Sequence, residues 1–241
     1  DKDARHGAKS DEKPFTGYKA NLMESNDGFV TNINGTPGNT YDGDFLVPLV
    51  DEKTENSSKP PKIEGDTHYG SAENRFQMFT RGITIVAPFR EDSNPAGLLS
   101  QEKFVFDETG VTCPAGNRTM ISNHNEKDGT TTFYFKVEIC KQCFLKDQCT
   151  KQDRRTITIG KHHELTRQAK EYNKTQDFKE DMKDRAHIEP KQAEMKRFHG
   201  MARAKYWGLP KVNIQFIITA IAVNVKRFAN VVGSVSYLKS C

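Results

Sequence analysis

Two short apolar runs around one amphipathic segment constrain this chain more than any other feature. "PKIEGD" reads as a strand up to Asp66, "THYGSAENRFQMFTRG" as an amphipathic helix ending on Gly82, and "ITIVAP" as a compact apolar strand. Strand, helix and strand in that order imply a parallel βαβ unit. Upstream, "FTGYKANLM" and "GFVTNING" read as strands around an "ESND" turn, an antiparallel hairpin. Hairpin and parallel unit together predict one mixed sheet in an α/β fold.

The other segments fall around that frame. Residues 1–13 read as an extended, solvated lead-in, "DFLVPLVDE" as a short helix despite Pro48, and "KTENSSKPP" as a polar linker. "GKHHELTRQAKEYNKTQDFKEDMKDRAH" reads as a long polar helix with a break near Pro190, because the residue before proline disfavours helical geometry. "VNIQFIITAIAVNVKRFA" is the apolar helix expected to cover the sheet. Its apolar stretch, "IQFIITAIAVNV", is interrupted by Gln215, Thr219 and Asn224, too short and too polar for a bilayer span.

Composition bounds the function classes. With 35% hydrophobic residues, 15 Phe and 7 Tyr in 241 residues, the chain can bury a real core, and disorder throughout is excluded. Net charge is only +4, yet Lys151 to Lys205 holds 15 Lys and Arg against 9 Asp and Glu, which suits a polyanionic partner. The opening "DKDARHGAKSDEKP" has no apolar run, so no secretory leader is read there and a cytoplasmic protein is expected. The chain does not open on Met and reads as a piece of a longer protein.

Four of five cysteines fall in two groups, Cys113 in "CPAGN" and Cys140, Cys143 and Cys149 in "CKQCFLKDQC". A Cys-x2-Cys knuckle completed by distant thiolates can close a tetrahedral structural zinc site. Two disulfides or unrelated free thiols are the other readings, the disulfides disfavoured in a cytosolic protein. Four thiolates would leave no open position for catalysis at such a zinc. Cys241 belongs to neither group.

Asp66 sits where a strand ends and a loop-to-helix turn begins, the edge of an α/β sheet where ligands collect. The same position suits a helix cap. In "DRAHIEPKQAEMKR", Arg185, Glu189 and Lys196 are spaced by four and then seven, which on one helix puts all three on one face. A solvated face with a local ion pair gives that pattern too.

"GDTHYGSAENR" resembles the segment bearing the second catalytic Asp of DDE transposases of bacterial insertion sequences, and "RAHIEPKQAEMK" resembles their Y-x2-R-x3-E-x6-K signature. "CPAG", "CKQCFLKDQC" and "RAKYWGLPKVNIQ" are similar to a branch with a four-cysteine insert, and "GYKAN" and "TPGNTYDGDFL" fit the strands before the second Asp. The resemblance covers nearly the whole chain. It implies a ribonuclease-H-like mixed sheet with an inserted zinc-binding subdomain and C-terminal helices. The implied divisions are residues 1–95 as the first part of the core, 96–158 as the cysteine-bearing insertion, and 159–241 as the helical remainder.

The implied activity is cleavage and strand transfer of DNA with two Mg2+ or Mn2+ ions, in a bacterial, nucleoid-associated protein that self-associates on double-stranded transposon ends. Carried over by position, Asp66 is the second acidic ligand and Glu189 the third, while Arg185, Lys196, Arg197 and Arg203 contact DNA. Two departures stand out. Met182 occupies the signature Tyr, and the family's first Asp belongs on a strand upstream of residue 1, so the chain as given is expected to be catalytically incomplete. Asp1 and Asp3 lie in the lead-in, and Asp42 and Asp44 suit caps or solvent. The alternative function is a non-catalytic, zinc-containing nucleic-acid-binding module.

Several other residues carry open readings. His68 and Tyr69 either touch DNA or pack the turn. The adjacent His162 and His163 read as a solvated helix terminus, and Arg154 and Arg155 as surface charges able to bind phosphate. Arg197, His199, Arg203, Lys205 and Tyr206 suit contacts to single-stranded or hairpin DNA. Trp207 suits either that role or anchoring of the last helix in the core.

Overall fold

A computed structural model describes residues 1–8, 13–56, 58–89, 97–185 and 188–238. The chain divides into two compact units: residues 1–89 with 168–241, and residues 90–167.

In the first unit, β2 (Pro14–Glu24) and β3 (Val30–Pro37) form the expected hairpin, with Leu22 opposite Ile33 and Ala20 opposite Gly35. Period-two alternation sends Tyr18, Ala20 and Leu22 to one face and Met23 to the other. A register shift at Met23/Glu24 pairs Glu24 with Val30, which brings Val30 and Ile33 into one core although they are three residues apart. The lead-in is not simply solvated: β1 (Arg5–Ala8) adds a third antiparallel strand along β2.

The parallel unit forms as its sequence order implies. β4 (Lys62–Glu64) and β5 (Thr84–Val86) pair in parallel, Ile63 opposite Ile85, around α2 (Ala72–Thr80). Ser71 caps α2 by accepting from the Asn74 N–H, and Gly82 ends it at φ +65°, a conformation that favours glycine. Among the described residues the two sets of strands do not join into one mixed sheet. β4 and β5 are three residues each and pair only with one another. They meet the hairpin through side chains, in a core of Leu46, Val50, Met78, Ile83 and Ile85 flanked by Met23.

α1 (Leu46–Asn56) accommodates Pro48 in its first turn, where the missing N–H has no helical partner to lose. It runs on through Lys53 and Thr54 into the segment expected to be a polar linker. The expected long helix is two, α5 (His163–Asn173) and α6 (Gln176–Asp184), and α7 (Ile188–Phe198) follows them. Thr175 caps α6 by accepting from the Phe178 N–H at 3.3 Å. The second break precedes residue 188, and Pro190 lies inside the first turn of α7, where proline is tolerated.

α8 (Leu209–Leu238) covers the hairpin and is far longer than its apolar stretch suggested. By length and composition alone it qualifies for crossing a bilayer, contrary to expectation. Its Val212, Phe216, Ala220 and Val223 are buried against Val30 and Ile33 together with Met195 of α7. Fully burying a large apolar side chain contributes about 1.5–3 kcal/mol. Gly35 permits the close fit, because a Cβ there would come within 2.6 Å of Asn213 Oδ1 and 2.9 Å of the Phe216 ring. Asn224 clamps the other end, accepting from the Val30 N–H at 2.8 Å and donating to its carbonyl at 2.9 Å. At the start of α8, the Asp1 and Asp3 carboxylates accept from the N–H groups of Gly208 and Leu209, satisfying donors that helix geometry leaves open.

The second unit holds two three-stranded antiparallel sheets. One contains β6 (Val105–Phe106), β7 (Val111–Thr112) and β8 (Arg118–Thr119). In the other, β10 (Thr130–Tyr134) lies between β9 (Ser122–Asn125) and β11 (Thr156–Ile159). Between β10 and β11 come two short helices, α3 (Val137–Lys141) and α4 (Lys146–Cys149). Phe104, Val111, Phe133, Phe135 and Ile157 form a separate core, with Cys113, Cys140 and Cys149 packed against it.

Candidate functional site

The turn from β4 into α2 is a rigid platform. The Gly65 N–H donates to Val86 O at 2.9 Å, extending the parallel ladder one residue towards Asp66. The Asp66 carbonyl accepts from Tyr69 N, and its Oδ1 accepts from the His68 N–H at 2.9 Å. Asp66 is half-buried, and its Oδ2 takes no hydrogen bond from another described residue. Asn74 donates to the carbonyls of Gly43 and Tyr69. Arg75, buried beneath the turn, donates to the carbonyls of Gly70, Ile85 and Ala87. Burial lowers the Arg75 pKa to about 10, so the guanidinium stays charged at neutral pH.

Tyr69 packs into the core beside this turn. Burial raises its hydroxyl pKa, and the nearby carboxylates of Asp42 and Asp66 raise it further. His68 is exposed and lies edge-on to Tyr41, whose hydroxyl donates to the His68 carbonyl. Tyr69 thus packs the turn, and His68 lies against Tyr41 at its surface. Asp42 pairs with Lys19 at 2.9 Å, and Asp44 is exposed.

Glu189 is exposed in the first turn of α7 and makes no hydrogen bond or ion pair with another described residue. Arg185 caps the end of α6, so it does not share a helix with Glu189. The expected common face therefore holds only for Glu189 and Lys196, seven residues apart on α7. α6 is anchored to β4 by Lys62, which contacts Asp181 at 2.6 Å and Glu64 at 3.1 Å. The Asp181 carboxylate also accepts from the Tyr172 hydroxyl, pushing the tyrosine pKa up to about 12.

Arg197 and Arg203 are exposed, as are Phe198, Tyr206 and Trp207, a mixture of cations and open aromatic rings. Trp207, 80% exposed, does not anchor α8 in the core. His199 lies 3.8 Å from Glu194, which pairs at 2.6 Å with Lys226.

The four cysteines of the second unit are free thiols and line one cavity with Arg155. The reading as two disulfides is thereby corrected. Burial raises the Cys149 pKa, Arg155 opposes the rise, and the thiols of Cys140, Cys113 and Cys143 add to it. Arg155 donates to the carbonyls of Cys149 and Leu99, while its Nε is buried without a partner. It is therefore no free surface charge. Arg154 lies 4.8 Å over the Tyr134 ring, and His163 stacks 4.5 Å from Phe106 instead of ending in solvent.

By donor type, Asp66 and Glu189 suit a hard cation and the four thiols a soft one. Among the described residues, however, no three His, Cys, Asp or Glu close into a group able to hold a metal ion. Sequence reasoning missed Arg75 and the orphaned Nε of Arg155. An arginine inside an amphipathic helix and one after a cysteine cluster carry no local mark that separates them from surface cations.

Residues 112–229 match the family described as Transposase DDE domain. The match takes in all four clustered cysteines, Glu189, the basic segment after it and most of α8, while Asp66 lies outside it. Its mixed α/β arrangement of small sheets and helices is compatible with a ribonuclease-H-like DDE domain. The match supports a DDE transposase. No curated protein and no solved structure matches the chain.

Proposed function

We propose that this chain carries catalytic-core residues of an insertion-sequence DDE transposase, with Asp66 and Glu189 as two of its acidic ligands. The match over residues 112–229, a span that includes Glu189, carries this reading. Asp66 adds physical support, since a half-buried carboxylate at the exit of a parallel strand has one oxygen already fixed and the other available. Bound Mg2+ or Mn2+ would activate the attacking oxygen and stabilise the leaving one in an in-line displacement. The chain's own part is to orient those carboxylates and draw in the phosphate backbone of transposon-end DNA with Arg185, Lys196, Arg197 and Arg203. Self-association on that DNA and action on the bacterial nucleoid in the cytoplasm belong to the same reading.

Cys113, Cys140, Cys143 and Cys149 would hold one structural Zn2+ in this proposal once their thiols, which among the described residues do not close into a metal-holding group, are drawn together. Four uncrosslinked thiols lining one cavity favour it, as does the unpartnered Arg155 Nε, a donor suited to a metal-bound thiolate.

The test is end cleavage by the full-length transposase in Mn2+, comparing wild type with Asp66→Asn and Glu189→Gln. Each change is expected to reduce cleavage by more than about 100-fold, beyond the effect of losing an outer-shell partner, while leaving DNA binding in place. Cleavage that survives both changes would sink the assignment and leave a zinc-containing DNA-binding module.

A further inference from the structure

α7 carries Glu189 in its first turn but is fastened at its other end. Met195, fully buried, sits in one core with Val212, Phe216 and Val223 of α8. Past the helix, the Met201 N–H donates back to the Met195 carbonyl at 3.1 Å, and Gly200 turns the chain at φ +72°, a helix closure that favours glycine. Buried Gln215 of α8 then donates to the carbonyls of Gly200 and Arg203 at 3.0 Å each. These contacts fix where α7 ends. Methionine is an adaptable side chain, so its burial sets the roll of the helix about its own axis only loosely.

Glu194 supplies a second fixed point. Its Oε1 meets Lys226 Nζ of α8 at 2.6 Å across 32 positions of sequence. His199 Nε2, buried with no hydrogen-bond partner among the described residues, lies 3.8 Å from the same oxygen. The bond from Lys226 holds the Glu194 carboxyl below its usual range, and the charges of Lys191 and His199 add to this. A pair between neighbours on one solvated face would do little beyond solubility. Glu194 is instead only 23% exposed, and its cation comes from another helix.

We infer that the Glu194–Lys226 pair positions Glu189 by fixing the roll of α7 against α8, an inference that rests on the reading of Glu189 as a metal ligand. Five residues along a helix amount to about 140° of rotation and about 7.5 Å of rise. Glu194 drawn onto α8 therefore turns Glu189 towards the far side of α7, where it is exposed. A glutamate carboxylate stands about 6 Å from the helix axis, so a roll of about 15° moves it about 1.6 Å. Functional geometry tolerates about 0.5 Å, and a misplacement of about 1 Å can slow a reaction about 100-fold. A contact of modest strength thus acts on the site through a long lever.

The experiment uses the full-length transposase with transposon-end DNA. It compares Glu194→Gln, Lys226→Met, the two combined, and Lys226→Arg, with Glu189→Gln alongside. Single-turnover cleavage is read for each, together with Mn2+ affinity from the electron paramagnetic resonance of free Mn2+. Glu194→Gln and Lys226→Met are each expected to lower both by about 10–100-fold. The combined variant should lose no more than either alone, because both remove one interaction, and Lys226→Arg should stay near wild type. DNA affinity and thermal melting should be unchanged throughout, which separates orientation from folding. Additive losses, wild-type behaviour of Glu194→Gln beside an inactive Glu189→Gln, or a loss in Lys226→Met that tracks weaker DNA binding would each overturn the proposal alone. Cleavage that survives Glu189→Gln would overturn the ligand reading and this inference with it.

Discussion

Arg75 reaches out of α2 to the carbonyl of Ala87, the residue after β5, with Nη2 at 2.9 Å. The same guanidinium holds Gly70 and Ile85, so one side chain ties both ends of the parallel unit to the turn that presents Asp66. Replacing Arg75 by Met would strip the Gly70 and Ile85 carbonyls of the Arg75 bond, while the Ala87 carbonyl keeps the Asn173 amide at 3.1 Å. Each unsatisfied group costs about 1–3 kcal/mol, so a loss of at least ~2 kcal/mol is expected. Urea unfolding will measure it, with Phe79→Ala on the exposed side of α2 as a control expected to stay within about 0.5 kcal/mol.

The second unit has a small core, and the proposed zinc would reinforce it. Metal analysis of protein purified without chelators is expected to find one Zn2+ per chain, and Cys143→Ser to lose it. Arg155→Gln should fold, because only hydrogen bonds are trimmed, yet weaken zinc affinity by about 10–100-fold in a chelator competition. Equal zinc affinity in wild type and Arg155→Gln would remove Arg155 from any role beside the metal.

The Lys62–Asp181 pair sets an acid limit on the attachment of α6. The hydrogen bond from Lys62 holds the Asp181 carboxyl below its usual range, and that from Tyr172 adds to this. A depressed carboxyl pKa contributes stability that is present above the unfolded value, near 4, and is lost as pH falls through the folded one. Lys62, whose pKa Asp181 raises, contributes stability present below its ordinary 10.5 and lost as pH climbs through the folded value. Urea midpoints should therefore form a plateau between these limits. In Asp181→Asn the acid limb that this carboxylate adds should disappear.

Arg197 is exposed and makes no pair with another described residue, which leaves it available to a phosphate. Arg197→Ala is expected to weaken DNA binding about equally across sequences and to reduce the salt-dependence slope by about 1. A loss confined to one DNA sequence would instead mark Arg197 as a reader of bases.

Much of the first unit could be read from the chain because its signals are local. Alternation in β2 and β3, the Ser71 cap and the Gly82 stop each reside within a few residues. The joining of strands into sheets is not local, and three-residue strands such as β4 and β5 carry too little pattern to say what lies beside them. The division between α5 and α6 is hidden for a related reason, since Thr175 caps α6 inside a continuous polar run that has no Gly or Pro to mark a stop. In the candidate site, residue types pointed to Asp66, Glu189 and the four cysteines. The carbonyl partners of Arg75 and the unaccepted Nε–H of Arg155 are products of packing, which no spacing encodes.

Trp207 is the chain's only tryptophan, and it stands 80% exposed a few residues from Arg203 and Lys205. An indole already in water has little environment left to lose when the fold melts, so its emission should be nearly silent to unfolding. A nucleobase stacked on that ring would quench it strongly. The protein thus carries an intrinsic optical reporter placed beside its cations, able to follow arrival of a nucleic acid without any attached dye.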